Sequence, residues 1–173
     1  MEAFVQKLKA DMQLNEKDIY ELDLIGTRKR FRSGETIVRI GEVDENLYIV
    51  TKGIWREYFE SEGNDTTVWF SVAGEVTYSV WGYVKSAPSQ LNIESLDDSE
   101  AICVPKKKLE ELFARNIRMA NLGRRILEEY AVLYEQWHMN RWQKNATDRY
   151  IDLMEGCEAC KSCKTSCNCH GSR

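Results

Sequence analysis

The stretch Phe31–Phe59, FRSGETIVRIGEVDENLYIVTKGIWREYF, constrains the fold more than any other part of the chain. Three β-branched and aromatic runs, Thr36–Ile40, Leu47–Thr51 and Ile54–Phe59, are divided by Ser33-Gly34, Gly41-Glu42 and Lys52-Gly53. Runs of this length between glycine corners predict short strands joined by tight reversals. The same reading extends to Thr66–Val72, Pro88–Leu96 and Ser99–Val104, with turn clusters at Ser61–Asp65 and Asp97-Asp98. Seven or eight such strands favour a roll closed on itself or built as two sheets, because either arrangement covers unpaired strand edges. The expected fold is mainly β with flanking α, a jelly-roll-like β-roll.

Helical patterns flank this core. Phe4, Leu8 and Met12 fall at helical spacing, and Asn15 before Glu16, Lys17 and Asp18 reads as an N-cap with an acidic first turn for a helix through Leu22. Lys106-Lys107-Lys108 precedes Leu109, Leu112 and Phe113, an amphipathic helix whose basic triplet reads as solvated surface. A longer helix is predicted over Asn116–Lys144; at about 1.5 Å per residue it reaches roughly 40 Å. Met119, Leu122, Ile126, Tyr130, Leu133 and Trp137 recur along it every three or four residues, and Leu127 and Tyr134 broaden the face. That stripe suits either a core helix or a dimer seam, and its length favours the dimer. Asn145–Asp148 then gives a stop and a fresh cap before Tyr150, Ile151, Leu153 and Met154. The expected divisions are 1–30 (helices packing on the roll), 31–105 (roll), 106–144 (short and long helices), 145–156 (hinge and start of a further helix) and 157–173 (cysteine-rich tail).

The order of residues adds to the periodicity. Ile37-Val38-x-x-Gly41-Glu42, then Leu47-Tyr48-Ile49-Val50-x-x-Gly53, resembles the first signature of the cyclic-nucleotide-binding β-roll of Crp/Fnr-type bacterial transcription regulators, with Asp44 where that signature carries a small residue. The likeness runs from Leu14-Asn15-Glu16 through Leu96–Glu100 to Ala146–Tyr150. It implies an effector held by a cassette at Ala73–Gln90, with Gly74, Glu75, Ser89, Gln90 and Tyr130 as candidate contacts. It also implies a homodimer through the long helix. Where cyclic-AMP binders of the family place a phosphate-pairing arginine, this chain has Pro88-Ser89-Gln90, and Lys85 is the sole cation between Glu75 and Leu96. Losing that charged hydrogen bond costs about 1.5–3 kcal/mol, so tight cyclic-AMP binding is not expected. Tyr78, Trp81 and Tyr83 fill the cassette instead, as packing or as the wall of a pocket for a less anionic effector.

Charge and cysteine usage bound the alternatives. A net charge of −4 argues against a chain that is mostly a nucleic-acid surface. With no leader pattern and no run of eighteen apolar residues, the cytoplasm is the expected location and no membrane partner is expected. A cupin-type metal oxygenase on a similar roll needs histidine ligands from strands; the two histidines are His138 and His170, so no enzyme is expected. The winged helix-turn-helix that follows the hinge in such regulators has no counterpart in Gly156–Arg173, so DNA is a partner only if that module is restored. That segment instead carries Cys157, Cys160, Cys163 and Cys167, the spacing of bacterial ferredoxin clusters with Asn168 in place of proline, and it also suits Zn²⁺. A metal-binding redox or metal-responsive protein is thus the second reading. A third is a shifted frame, since codons permitted for Cys163–Cys169, read one base later, give Val-Lys-His-Leu-Ala-Ile, similar to the start of the family's helix-turn-helix; an inert tail is the fourth.

Overall fold

The computed structural model describes residues 15–61 and 63–145, together with 147, 148 and 151. Helix α1 spans Glu16–Ile25 and starts with a capping box: Asn15 Oδ1 accepts from the Asp18 N–H (2.9 Å), and Asp18 Oδ2 accepts from the Asn15 N–H (3.2 Å). Eight strands follow: β1 Thr27–Phe31, β2 Thr36–Val38, β3 Asn46–Lys52, β4 Ile54–Ser61, β5 Asn64–Val72, β6 Val76–Thr77, β7 Asn92–Ser95 and β8 Ser99–Pro105. Helix α2, Val80–Lys85, lies between β6 and β7; α3, Lys106–Arg115, and α4, Ile117–Gln143, follow β8. The strands form two antiparallel sheets, ordered β1-β8-β3-β6 and β2-β7-β4-β5. This is the expected roll with its long trailing helix.

Alternation along the strands puts one face of each sheet inside. Trp55 on β4 is fully buried at the centre, edge-on to Phe31 (5.0 Å between centroids) and Tyr48 (5.5 Å), with Val38, Val50, Ile93, Ala101 and Cys103 around it. Its indole N–H donates to Ser99 Oγ (2.8 Å), which sits 2.6 Å from Ser95 Oγ, so the polar atom of the largest core side chain is satisfied. Helix α1 packs on α3 and β8, closing one side of the roll. Asp18, with its side chain fully buried, accepts from Asn116 Nδ2 (2.9 Å) and pairs with Arg118 Nε (2.9 Å), tying α1 to the start of α4.

The chain crosses between sheets at four short corners, β1–β2, β3–β4, β5–β6 and β7–β8. Three are bonded together: Ser33 N–H donates to Asp98 Oδ1 (3.1 Å) and Ser33 Oγ to the Leu96 carbonyl (2.9 Å), Ile54 N–H to Asp97 Oδ1 (2.9 Å), and Leu96 N–H to the Ile54 carbonyl (2.8 Å). At the β5–β6 corner, Gly74 N–H donates to the Val50 carbonyl (2.9 Å). Gly53 has φ 93°, and a Cβ there would meet Asp97 and lie 3.0 Å from Ser99 Cα, so both backbone angle and space require glycine.

Several boundaries differ from expectation. Thr27–Arg30, placed with the N-terminal helices, forms with Phe31 a strand on the outer edge of its sheet, exposed at four of five residues and so without an alternating pattern. The strand expected at Thr36–Ile40 stops at Val38, and the one expected from Pro88 starts at Asn92. In both gaps the backbone is committed loop to loop: Gly41 N–H to the Ser89 carbonyl (2.9 Å), Ser89 N–H to the Glu42 carbonyl (2.8 Å) and Ile40 N–H to Asn92 Oδ1 (2.9 Å). Asp44, the departure from the family signature, accepts from Asn46 N–H (2.9 Å) and from the Tyr48 hydroxyl (3.0 Å), so its carboxylate closes the loop before β3.

The chain divides into two compact units, one ending at Ala120 and the other starting at Asn121. In the second, α4 is amphipathic in part: Ile126 and Tyr130 are half-buried, whereas Leu127, Val132, Leu133, Tyr134, Met139 and Trp142 are exposed. Arg124 and Glu128 form an ion pair on it. No helix among the described residues is long and apolar enough to cross a membrane.

Candidate functional site

Four of the five expected effector contacts lie in the first unit, on the turn before β6 and the loop before β7. Gly74 and Glu75 form the β5–β6 turn, with Gly74 at φ 97°. Glu75 Oε2 accepts from the Val72 N–H (3.1 Å), so the carboxylate fastens its own turn. The helix start belongs to Ser79, whose hydroxyl accepts from the Gly82 N–H (3.1 Å) to cap α2. That helix has six residues, too few for a strong dipole. Ser89 is buried and its hydroxyl donates to the Leu91 carbonyl (2.7 Å); Gln90 is exposed and its amide donates to the Pro88 carbonyl (3.2 Å). Both hold the loop before β7. Tyr130, the fifth, is on α4 in the second unit.

The cassette aromatics divide between packing and surface. Tyr78 and Tyr83 tilt against each other (5.2 Å), and burial pushes the Tyr83 phenol up to about 12. Lys106 lies 5.7 Å above the Tyr83 ring. Trp81 is exposed. Gly82 faces inward and its backbone sits against that of Asp44, leaving no room for a Cβ.

A polar group that motif matching passed over lies deeper in the roll. Glu57 on β4 is paired across the sheet with Ile93 of β7 on one side and Trp69 of β5 on the other. Directly opposed residues share a face, and Ile93 is core, so Glu57 points into the interior. From the opposite sheet, the buried Thr77 hydroxyl donates to Glu57 Oε1 (2.6 Å). Burial raises the Glu57 carboxyl above the ordinary range, and the bond from Thr77 offsets part of that rise. The neighbouring Arg56 faces the other way: its Nη2 pairs with Asp65 (2.8 Å) and Glu94 (3.4 Å), and its guanidinium stacks on Tyr58 (4.0 Å). Ser71, opposite Trp55 and therefore inside as well, is buried with its hydroxyl unpartnered among the described residues. The signal was present in the alternation Trp55-Arg56-Glu57: a carboxylate on the apolar side of a strand.

On the expected dimer stripe, Met119 and Leu122 are buried and Leu133 is exposed. The side chain of Trp137 lies outside the described residues, as do Cys157, Cys160, Cys163 and Cys167 and the hinge beyond Asp148 save Ile151. Among the described residues no three His, Cys, Asp or Glu side chains are grouped to hold a metal. Cys103 is a free, buried thiol on β8, pushed up by burial and so poorly reactive.

Comparison with solved structures places this architecture. The catabolite activator protein of Thermus thermophilus aligns with a TM-score of 0.57 at 19% identity, over 71% of this chain and 60% of that one. The c-di-GMP responsive global regulator CLP of Xanthomonas campestris aligns at 0.62 and 16%, over 82% and 71%. The regulatory domain of Toxoplasma gondii PKA, co-crystallised with cAMP, aligns at 0.57 and 18%, over 72% and 48%. The chain therefore spans less than two thirds of the Thermus and Toxoplasma chains. At these identities the likeness is one of fold. No curated protein gives a significant sequence match. Residues 28–116, just over half the chain and covering the roll from β1 to the end of α3, match the family described as Cyclic nucleotide-binding domain, and the chain belongs to that family.

Proposed function

We propose that this chain is the effector-sensing and dimerising portion of a Crp/Fnr-like bacterial transcription regulator, working in the cytoplasm. The observation that carries the reading is the order of parts: a roll of the cyclic nucleotide-binding family followed directly by a 27-residue helix with exposed apolar side chains. Regulators from Thermus and Xanthomonas share this roll at low identity. A small molecule in the roll shifts its population between two arrangements, and the second copy of α4 reads that shift. Cyclic AMP is not a tight ligand here. Gly74 and Glu75 serve a turn, Ser89 and Gln90 serve a loop, and Lys85 is exposed on α2.

Two measurements test the reading. Sedimentation of the protein at micromolar concentration should give a dimer, and thermal shift against cyclic AMP, c-di-GMP and a set of small metabolites should find a stabilising compound other than cyclic AMP. A monomer indifferent to every compound, or submicromolar cyclic-AMP binding, would overturn it.

A further inference from the structure

A carboxyl group faces the roll interior at Glu57. Glu57 and Thr77 meet across the two sheets at 2.6 Å, at the middle of β4 and at β6. Thr77 occupies one carboxylate oxygen, and no partner among the described residues occupies the other. Glu57 is nonetheless not sealed: it keeps part of its surface accessible while its ladder neighbour Ile93 is fully buried. A carboxylate that faces the core, keeps an open oxygen and retains accessible surface is within reach of a small solute. The buried, unpartnered hydroxyl of Ser71 lies on the same face of the next strand, one step along the ladder from Trp69. An unpaired buried polar atom is costly and uncommon, and the Ser71 hydroxyl on the same interior face as the open carboxylate oxygen calls for a ligand that satisfies both. No cation of the protein balances Glu57: among the described residues it is in no ion pair, and Arg56 is spent on Asp65 and Glu94 at the outer face.

We infer that the roll selects a small ligand bearing a cationic or neutral N–H donor group, which pairs with the open oxygen of Glu57 beside Thr77 and Ser71, and that it rejects cyclic phosphates by charge. A flat amidinium or ammonium group fits this setting, since a carboxylate takes two parallel N–H bonds and the Trp69 indole supplies an aromatic wall. The carboxyl group is raised by burial and the Tyr78 phenol interacts with it and is itself raised, so Glu57 ionises while Tyr78 stays neutral and cation binding strengthens as pH rises. The inference rests on the effector-in-roll reading above.

The test uses an isosteric pair, benzamidine and benzoate, which differ in the sign of one planar group. Backbone amide NMR spectra of the full chain are recorded with each probe at millimolar concentration, for the natural protein and for Glu57→Gln. Benzamidine should shift signals from β4, β5 and β6 with at least about tenfold preference over benzoate, a charged hydrogen bond's contribution. Glu57→Gln should erase the preference while the remaining amide spectrum shows the roll still folded, and Thr77→Val, which frees the second oxygen, should retain it. Benzoate or cyclic AMP binding inside the roll as well as benzamidine, or an unchanged preference in Glu57→Gln, overturns this inference and leaves the effector reading standing. If neither probe nor any metabolite perturbs the interior strands, both fall.

Discussion

The Asp18 carboxylate, with its side chain entirely out of solvent, lies 2.9 Å from the Arg118 guanidinium and joins α1 to the first turn of α4. Burial alone would raise its protonation range; hydrogen bonds from Asn116, from the Asn15 N–H and from Arg118 more than offset this, and hold it below the ordinary 3.8. Because the folded state lowers the value, the stabilisation is complete above the unfolded aspartate range and is lost as pH falls through the folded one. Asp18→Asn should lower the unfolding free energy by about 1–3 kcal/mol at neutral pH, with the gap to the natural protein narrowing below about pH 4. Urea unfolding across pH 3 to 7 reads this; a gap that does not change with pH would mean the carboxylate acts only as a neutral helix cap.

Gly53 and Gly34 both occupy positive φ, at 93° and 77°, but only Gly53 is crowded, by Asp97 and Ser99. Gly34→Ala should therefore cost only the backbone penalty, about 1 kcal/mol, and Gly53→Ala at least about 1–2 kcal/mol more, from overpacking at the corner. Equal losses in denaturant titrations would show that the Gly53 corner yields easily.

Trp55→Phe removes the bond to Ser99 and opens a void beside Phe31 and Tyr48. The expected loss is about 2–4 kcal/mol. Calorimetry is the direct measurement, and a loss under about 1 kcal/mol would argue that the two sheets close in to refill the space.

Leu127 and Leu133 flank the exposed face of α4. Burying a leucine contributes about 1.5–3 kcal/mol, so Leu127→Asp with Leu133→Asp should weaken the proposed dimer by at least about 100-fold. The circular dichroism of the roll should be unchanged. Sedimentation velocity separates the outcomes, and an intact dimer would place the seam elsewhere.

The roll was legible because its strands carry their own punctuation. Gly34, Gly41 and Gly53 all adopt positive φ at reversals, and the β-branched and aromatic runs flanking them supply the buried Val38, Tyr48, Ile49, Val50 and Trp55. What was missed lacks local signal. The strand Thr27–Phe31 is charged and faces solvent, and is fixed only by pairing with β8. Val76–Thr77 is too short for any period. The site was harder to read for a further reason. Motif likeness directed attention to Gly74-Glu75, whose carboxylate turns back on its own loop. The alternation Trp55-Arg56-Glu57 puts the carboxylate on the same face as the tryptophan, but what meets it there, Ile93 and Thr77, lies far along the chain on neighbouring or facing strands.

Three of the four short crossings between sheets are bonded to one another, and this imposes a mechanical asymmetry on the roll. Ser33, Ile54, Leu96, Asp97 and Asp98 bind one another there, while the two long crossings, 39–45 and 78–91, meet away from them through Gly41, Glu42 and Ser89. The corners act as a spine and the sheets as two covers. Any swelling between the covers is small at the spine and largest at the fore-edge, where α2 and the loop before β3 lie. Parting the covers therefore strains the bonds of Gly41, Glu42 and Ser89 before it strains those of the corners.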